Sequence, residues 1–218
     1  MVYYDIHTHR AERSPDVISV TSADLRDESV QNALSIITDA YYSVGVHPWN
    51  VDLEGMELVQ EYSLKPNVVA IGETGLDKTT AKTSSEFSLQ RELFWKHVQL
   101  SEKIKKPLII HCVKAWSDLL HIRKMVKPSI PWIVHGFRGK PSIASQLLDA
   151  GLYLSFGAYY HPEALKLAWE QKRLLAETDD QSVDIKEIYQ QIASDLFISI
   201  ESLAQAIEHI FLTTLKTE

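Results

Sequence analysis

A short apolar run near the start of the chain ends in two histidines separated by one residue, in the stretch from Val2 to His9. Side chains at alternate positions of a strand point to the same face, so a strand here would bring His7 and His9 together, with Asp5 beside them. Imidazole nitrogens and carboxylate oxygens that converge are typical ligands of a divalent metal ion. A lone His-x-His pair also occurs as surface decoration, so this interpretation depends on the rest of the chain.

Further histidines and carboxylates follow other short apolar runs. The complete set is His7, His9, His47, Glu73, His111, His135, Glu177 and Asp179. A single histidine after a strand is more often a hydrogen-bonded loop residue, but chance does not explain the repeated placement. Such a set could hold two adjacent cations that activate a water, with a carboxylate as the base. Nucleophilic catalysis is not expected, because Cys112 stands beside His111 in a likely strand region and no Gly-x-Ser-x-Gly motif occurs.

The elements predicted around these residues alternate between strands and helices. Strands are predicted at residues 2–6, 16–20, 41–46, 68–71, 108–110, 132–134, 152–156 and 174–176. Helices are predicted at 53–63, 84–104, 115–126, 141–150, 161–171, 185–195 and 200–215, whereas 24–38 is ambiguous. Thr83 and Glu86 could form a capping box for the helix at 84–104. The alternation predicts an α/β fold, the (β/α)8 TIM barrel, with its metal site at the carboxyl ends of the strands.

Length and composition are those of an ordinary globular protein. The 218 residues are 45% hydrophobic and 23% charged, so a single domain over residues 1–218 is expected. With 22 basic and 29 acidic residues the net charge is -7, which argues against a broad footprint on a polyanion. The one cysteine excludes an intramolecular disulfide. The sequence shows neither a signal-peptide pattern at its start nor an apolar run long enough for a membrane span, so a cytoplasmic protein with no membrane association is expected. The sequence does not indicate a protein partner.

Six motifs follow one another between residue 2 and about residue 180. They are Asp5-Ile6-His7-Thr8-His9, Gly45-Val46-His47-Pro48, Gly72-Glu73-Thr74-Gly75-Leu76-Asp77, Pro107-Leu108-Ile109-Ile110-His111, His135-Gly136-Phe137-Arg138-Gly139 and Glu177-Thr178-Asp179. In this order they resemble the motifs of the TatD-type deoxyribonuclease family of metal-dependent hydrolases. The resemblance implies a TIM barrel, one or two divalent ions (Mg, Mn or Zn), and DNA as the substrate, cleaved at phosphodiester bonds near its ends by a metal-activated water.

The resemblance also implies roles for individual residues. Carried over by position, the metal ligands are His7, His9, Glu73, His111, His135 and Asp179. Glu73 would bridge two ions, and Asp179 would also orient or deprotonate the attacking water. These two carboxylates are therefore the implied catalytic residues.

The chain departs from the family pattern after the fifth strand. Val113 stands where an Arg that clamps phosphate is common, and Lys114 stands where an acidic residue is frequent. The candidate substrate contacts are instead His47, Lys114, Arg138 and Lys140, for each of which local hydrogen bonding or simple solvation is the competing interpretation. Asp77 could support a ligating histidine or belong to a turn.

Two alternatives to a deoxyribonuclease remain open. A barrel with this metal centre could hydrolyse a small ester, amide or phosphate compound, because the loops select the substrate. It could also bind metal without turnover. The presence of Asp179 favours an enzyme over the second alternative.

Overall fold

Strands and helices alternate between the second and the eighth strand in a computed structural model, which describes residues 1–10, 14–37, 39–53 and 55–215. The strands are β1 (Tyr3–Thr8), β2 (Val17–Ala23), β3 (Tyr41–Val44), β4 (Val68–Asp77), β5 (Leu108–Val113), β6 (Trp132–Val134), β7 (Tyr153–Phe156) and β8 (Leu174–Ala176). The helices are α1 (Glu28–Ile36), α2 (Gly55–Tyr62), α3 (Ser84–Ile104), α4 (Trp116–Val126), α5 (Pro141–Asp149), α6 (Pro162–Glu170), α7 (Ile185–Leu196) and α8 (Ile200–Thr214). Every predicted strand and helix is present.

Four strands extend further along the chain than the apolar pattern predicts, namely β1, β2, β4 and β5. β4 continues to Asp77, and all of its 10 residues are buried. Its polar end stays in the sheet because Gly75 pairs with His111 and Asp77 pairs with Val113 of the parallel strand β5. His7, Glu73 and His111 therefore lie within strands, and the prediction that they follow the strand ends is wrong for these three residues.

The ambiguous stretch at 24–38 contains helix α1. Asp27 precedes the helix and accepts a hydrogen bond from the Ser29 main-chain nitrogen at 2.8 Å, which is a typical N-cap. Only one of the two hydrogen bonds of the predicted capping box of α3 is present. Thr83 Oγ1 accepts from the Glu86 nitrogen at 3.1 Å, but the Glu86 carboxylate accepts from Lys82 rather than Thr83.

The chain divides into two compact units. The first unit comprises residues 1–21 and 133–218, and the second comprises residues 22–132. The prediction of one domain over residues 1–218 stays a prediction.

In the first unit, β6 pairs with β7 and β7 with β8, all in parallel. Strand β1 packs against α7 and α8: the Tyr189 hydroxyl accepts from the Tyr4 nitrogen and donates to the Tyr4 oxygen, each at 3.0 Å. On the other side of Tyr4, the ring of Phe211 lies 4.7 Å away. A parallel bridge between Thr8 and Asp179 joins the end of β1 to the segment after β8.

In the second unit, β3 pairs with β4 and β4 with β5, again in parallel. Helix α3 packs on β4, and Leu93, Phe94 and Val98 on this helix are buried. The ring of Phe94 contacts that of Trp132 edge-on at 5.6 Å.

Among the described residues, no single helix is both long and apolar enough to cross a membrane. Only α7 and α8 taken together reach that length and composition, and they are bent by 109°.

Candidate functional site

In the first unit, Asp179 lies beside both histidines of the His-x-His pair. Its main chain is held between theirs, because the Asp179 nitrogen donates to the His7 oxygen at 2.9 Å and the His9 nitrogen donates to the Asp179 oxygen at 3.0 Å. Asp179 adopts a left-handed conformation (φ 56°), which Asp tolerates better than most residues. Its carboxylate Oδ1 is then 3.6 Å from His7 Nε2 and 3.5 Å from His9 Nε2. These three residues can supply ligand atoms that lie within 4.8 Å of one another.

A second carboxylate of the first unit, Glu177, is directed at His135. Its side chain is fully buried, and its Oε1 accepts from the Gly136 nitrogen at 2.6 Å and lies 3.3 Å from His135 Nδ1. A carboxylate on Nδ1 is the usual means of orienting a ligating histidine so that Nε2 faces the metal. His135, Glu177 and Asp179 form another group with ligand atoms within 4.8 Å.

Asp5, predicted to converge with the histidines of β1, is directed elsewhere. Its Oδ2 accepts from the Thr178 hydroxyl at 2.6 Å, and its Oδ1 accepts from the Thr178 nitrogen at 3.0 Å and the His7 nitrogen at 3.4 Å. Burial raises the pKa of Asp5 to about 7, although the hydrogen bonds from Thr178 oppose that rise. Asp5 therefore anchors the segment that carries Asp179, and in the described part of the chain it joins none of the candidate metal-binding groups.

In the second unit, one buried carboxylate oxygen lies between two imidazoles. Glu73 Oε1 is 2.9 Å from His47 Nε2 and 3.0 Å from His111 Nδ1. His47 Nδ1 accepts from the Trp49 main-chain nitrogen at 3.2 Å, so in the neutral ring Nε2 carries the proton and donates to Glu73. His47, Glu73 and His111 also have ligand atoms within 4.8 Å of one another.

Asp77 supports His111 from the other side of the ring. Its Oδ2 is 3.1 Å from His111 Nε2 and accepts from the Trp49 indole at 2.7 Å. Its Oδ1 accepts from the Thr79 main chain at 2.7 Å, so Asp77 fills both of the roles considered for it. Burial opposes ionisation, but the hydrogen bonds from Thr79, Trp49 and His111 outweigh it and lower the pKa of Asp77 to about 2.

The other candidate substrate contacts are exposed cations on loops. Lys114 follows β5 in a left-handed conformation (φ 53°), and Lys140 is the residue before α5. The Arg138 guanidinium lies 5.7 Å from the centre of the exposed Tyr159 ring. Phosphate binding by these residues and by His47 stays a prediction.

The sequence places Glu177 in the candidate metal-binding set without a role of its own and does not predict a role for Trp49, although a signal for each is present. Glu177 stands two residues before Asp179 in the same motif, and Trp49 directly follows His47-Pro48. Cys112, by contrast, is buried as expected, and burial raises the pKa of its thiol, which argues against thiol catalysis.

Known proteins resemble this chain in sequence and in structure. Residues 5–216 match the family described as TatD related DNase. The metal-dependent hydrolase YcfH of Escherichia coli is 31% identical over 186 residues, which are 75% of this chain and 69% of YcfH. The 3'-5' RNA nuclease TATDN2 of Homo sapiens is 34% identical over 124 residues, which are 52% of this chain and 16% of that protein.

The crystal structure of YJJV, a TatD homolog from Escherichia coli, has the same fold. It matches with a TM-score of 0.80 at 19% identity and covers 99% of this chain and 98% of YJJV. The predicted fold class is confirmed: the protein is an α/β protein with the (β/α)8 TIM-barrel fold.

Proposed function

The chain belongs to the TatD-related DNase family of metal-dependent hydrolases, and on that premise we propose that it is a deoxyribonuclease that cleaves phosphodiester bonds near the ends of DNA strands. The observation that carries the proposal is the repeated pairing of imidazole nitrogens with a buried or half-buried carboxylate, Asp179 with His7 and His9 in the first unit and Glu73 with His111 in the second. The nuclease activity named for the relative TATDN2 supports a nucleic acid as the substrate.

Each unit contains its own group of proposed metal ligands. They are His7, His9, His135 and Asp179 in the first unit and Glu73 and His111 in the second. The imidazole nitrogens and carboxylate oxygens of each group suit Zn and Mn, and Mg to a lesser degree, and one or two divalent ions are proposed for the protein. A bound ion of this kind polarises a phosphoryl oxygen and lowers the pKa of its water.

The protein's own side chains position the reactants and move the proton. Asp179 takes a proton from the attacking water while the water oxygen bonds to phosphorus and the bond to the leaving sugar oxygen breaks. Glu177 and Asp77 keep His135 and His111 in their orientations. A bridging role for Glu73 stays a prediction from the family resemblance.

Contacts to the neighbouring phosphates are proposed for exposed cations. Lys114, Arg138 and Lys140 would take the place of the Arg that Val113 replaces. Each would contact one phosphate, so the binding footprint is small. The protein would then act on a strand end rather than on a long stretch of DNA.

Nucleotide release from end-labelled single-stranded DNA tests the proposal. Protein stripped with a chelator and then given Mg, Mn or Zn should release nucleotides only with metal, and single-stranded RNA and small ester and amide substrates belong in the same screen. His7→Ala with His9→Ala should lower the bound metal per chain. If the protein hydrolyses an ester or amide but releases no nucleotides with any of these metals, the proposed nuclease activity is wrong and the assignment as a metal-dependent hydrolase stands.

A further inference from the structure

Trp49 exposes an aromatic ring beside the candidate ligands of the second unit. It follows His47-Pro48 in the loop after β3, and the residue is 62% exposed. Its indole lies edge-on to the ring of His47 at 4.8 Å and to that of His111 at 5.8 Å. Packing does not require so exposed a ring, because an indole buries far more apolar surface in a core.

The ring is nonetheless held in one orientation. Its Nε1–H donates to Asp77 Oδ2 at 2.7 Å, and its main-chain nitrogen donates to His47 Nδ1 at 3.2 Å. The loop beneath it is fixed too, since the Gln90 side chain donates to the Pro48 oxygen at 3.1 Å. An exposed ring that is already oriented loses little conformational entropy when a flat ligand stacks on it.

From these contacts we infer that Trp49 is a stacking platform for an unpaired nucleobase of the nucleotide next to the scissile phosphate. The inference rests on the proposed function and specifies its substrate as single-stranded at the point of cleavage. A phosphate held near Glu73 and His111 has the base of the same nucleotide one sugar away, and the Trp49 ring lies 5.8 Å from the ring of His111. Every base has a π face, so such a platform binds without sequence preference.

A purely structural role for Trp49 makes different predictions. The indole N–H is one of several donors to Asp77, which in turn contacts His111. If Trp49 acted only through Asp77, removal of the N–H would be the harmful change and the aromatic face would be irrelevant. Trp49→Phe keeps a face and removes the N–H, whereas Trp49→Gln keeps an amide N–H and removes the face.

The two variants are compared on a pair of short single strands, one intact and one with an abasic sugar at the cleaved end. Stacking predicts that Trp49→Gln raises KM for the intact strand by about tenfold or more and abolishes the preference for the intact over the abasic strand. Trp49→Phe should keep most of that preference. Trp95→Phe and Trp95→Gln, the same changes at an exposed tryptophan on α3, are the matched controls.

Two results would overturn the inference. One is an equal loss in kcat for both Trp49 variants on both strands, which is the signature of positioning through Asp77. The other is a wild-type enzyme that does not distinguish the intact from the abasic strand.

A binding measurement keeps this test separate from the test of the nuclease. Dissociation constants are measured for the intact and the abasic strand with Asp179→Asn protein in Mn. The same measurement on the Asp179→Asn, Trp49→Gln double variant then reports the contribution of stacking without cleavage. If the wild type releases no nucleotides, the proposed function fails, and these constants still decide whether Trp49 binds a base.

Discussion

At the residue scale, two of the proposed ligand histidines have one ring nitrogen close to a carboxylate, and that carboxylate fixes the orientation of the ring. Glu177 fixes the orientation of His135, and Asp77 that of His111. A hydrogen-bonded carboxylate selects the tautomer, limits rotation of the ring and makes the remaining nitrogen more basic. These two acids should therefore affect metal affinity without being ligands themselves.

Glu177→Gln tests this role. The amide keeps the size of the side chain but removes the negative charge beside His135, so the affinity for Zn or Mn should fall about 10- to 100-fold with little change in the fold. Calorimetric titration of metal-free protein measures the affinity. Glu163→Gln, at an exposed position on α6, is the matched control, and an affinity equal to that of the control would contradict the orienting role.

Asp179→Asn separates proton transfer from folding. The amide keeps the main-chain bonds of Asp179 to His7 and His9 but is a poor base, so kcat should fall by roughly a hundredfold or more. Steady-state nucleotide release and circular dichroism measure rate and fold. The neighbouring Asp180→Asn is the control. Near wild-type turnover with full metal content would mean that another group takes the proton.

At the element scale, a buried histidine ties helix α3 to the end of β3. His97 Nδ1 donates to the Leu93 oxygen at 2.8 Å, and its Nε2 accepts from the Val46 nitrogen at 3.0 Å. The ring is therefore neutral, and burial lowers the pKa of His97 from 6.5 to about 4. The residue before His47 is thus held by a group that must not be protonated.

This burial predicts a pH-dependent stability. The pKa of His97 is 6.5 in the unfolded chain and about 4 in the folded chain, so between these values the unfolded chain binds a proton that the folded chain does not. The free energy of unfolding therefore decreases as the pH falls from about 6.5 toward about 4. The free energy of unfolding of the wild type should therefore fall by about 2 kcal/mol more than that of His97→Gln between pH 7 and pH 5. Urea unfolding in a chelator measures both. Exposed His121→Gln should behave as the wild type, and a parallel fall in His97→Gln would contradict the prediction.

The close contact between β4 and β5 depends on glycine. Gly75 has a φ of 149° and pairs with His111, and a methyl group at Gly75 would overlap the His111 carbonyl oxygen. Gly75→Ala should therefore destabilise the protein by about 2 to 4 kcal/mol in urea unfolding. Gly157→Ala is the control, because a methyl group there meets its nearest atom at 3.5 Å and should be nearly neutral. Equal stability of the two variants would show that β5 moves aside.

At the scale of the whole molecule, the net charge of -7 limits how the proposed nucleic acid substrate can be bound. A polyanion is repelled by the protein as a whole, so attraction must come from bound cations and a few local side chains such as Lys114, Arg138 and Lys140. This is compatible with a strand end and not with a long groove of basic residues.

The salt dependence of binding reports the size of the footprint. Two or three neutralised phosphates predict a slope of log K against log salt of roughly -1.5 to -2 for single-stranded DNA. Fluorescence anisotropy of a labelled strand across a salt series, at fixed metal, measures it. Lys140→Gln should make the slope shallower by about 0.7, whereas Lys166→Gln, an exposed lysine on α6, should not. A much steeper slope would reveal a basic surface that these residues do not account for.

The order and type of every element except helix α1 were determined by sequence alone. The hydrophobic period places α3 at Ser84–Ile104 with both ends as predicted, and β6 and β8 likewise agree in both bounds. Such patterns are readable because neighbouring residues along a helix or strand share one buried face, which is a local property. The positions of the six motifs, and so the family, follow from the same linear information.

Only the tertiary structure decided which atoms meet. Asp5 and Thr178, 173 residues apart, bond to each other, and this directs Asp5 away from the histidines with which it is predicted to converge. Parallel pairing with β5 carries β4 on to Asp77, and Glu177 and Trp49 acquire their roles from His135 and Asp77. Hydrogen bonds between segments far apart in the sequence depend on how strands and loops pack. No local sequence pattern encodes the distance between two such side chains or the direction in which each one points.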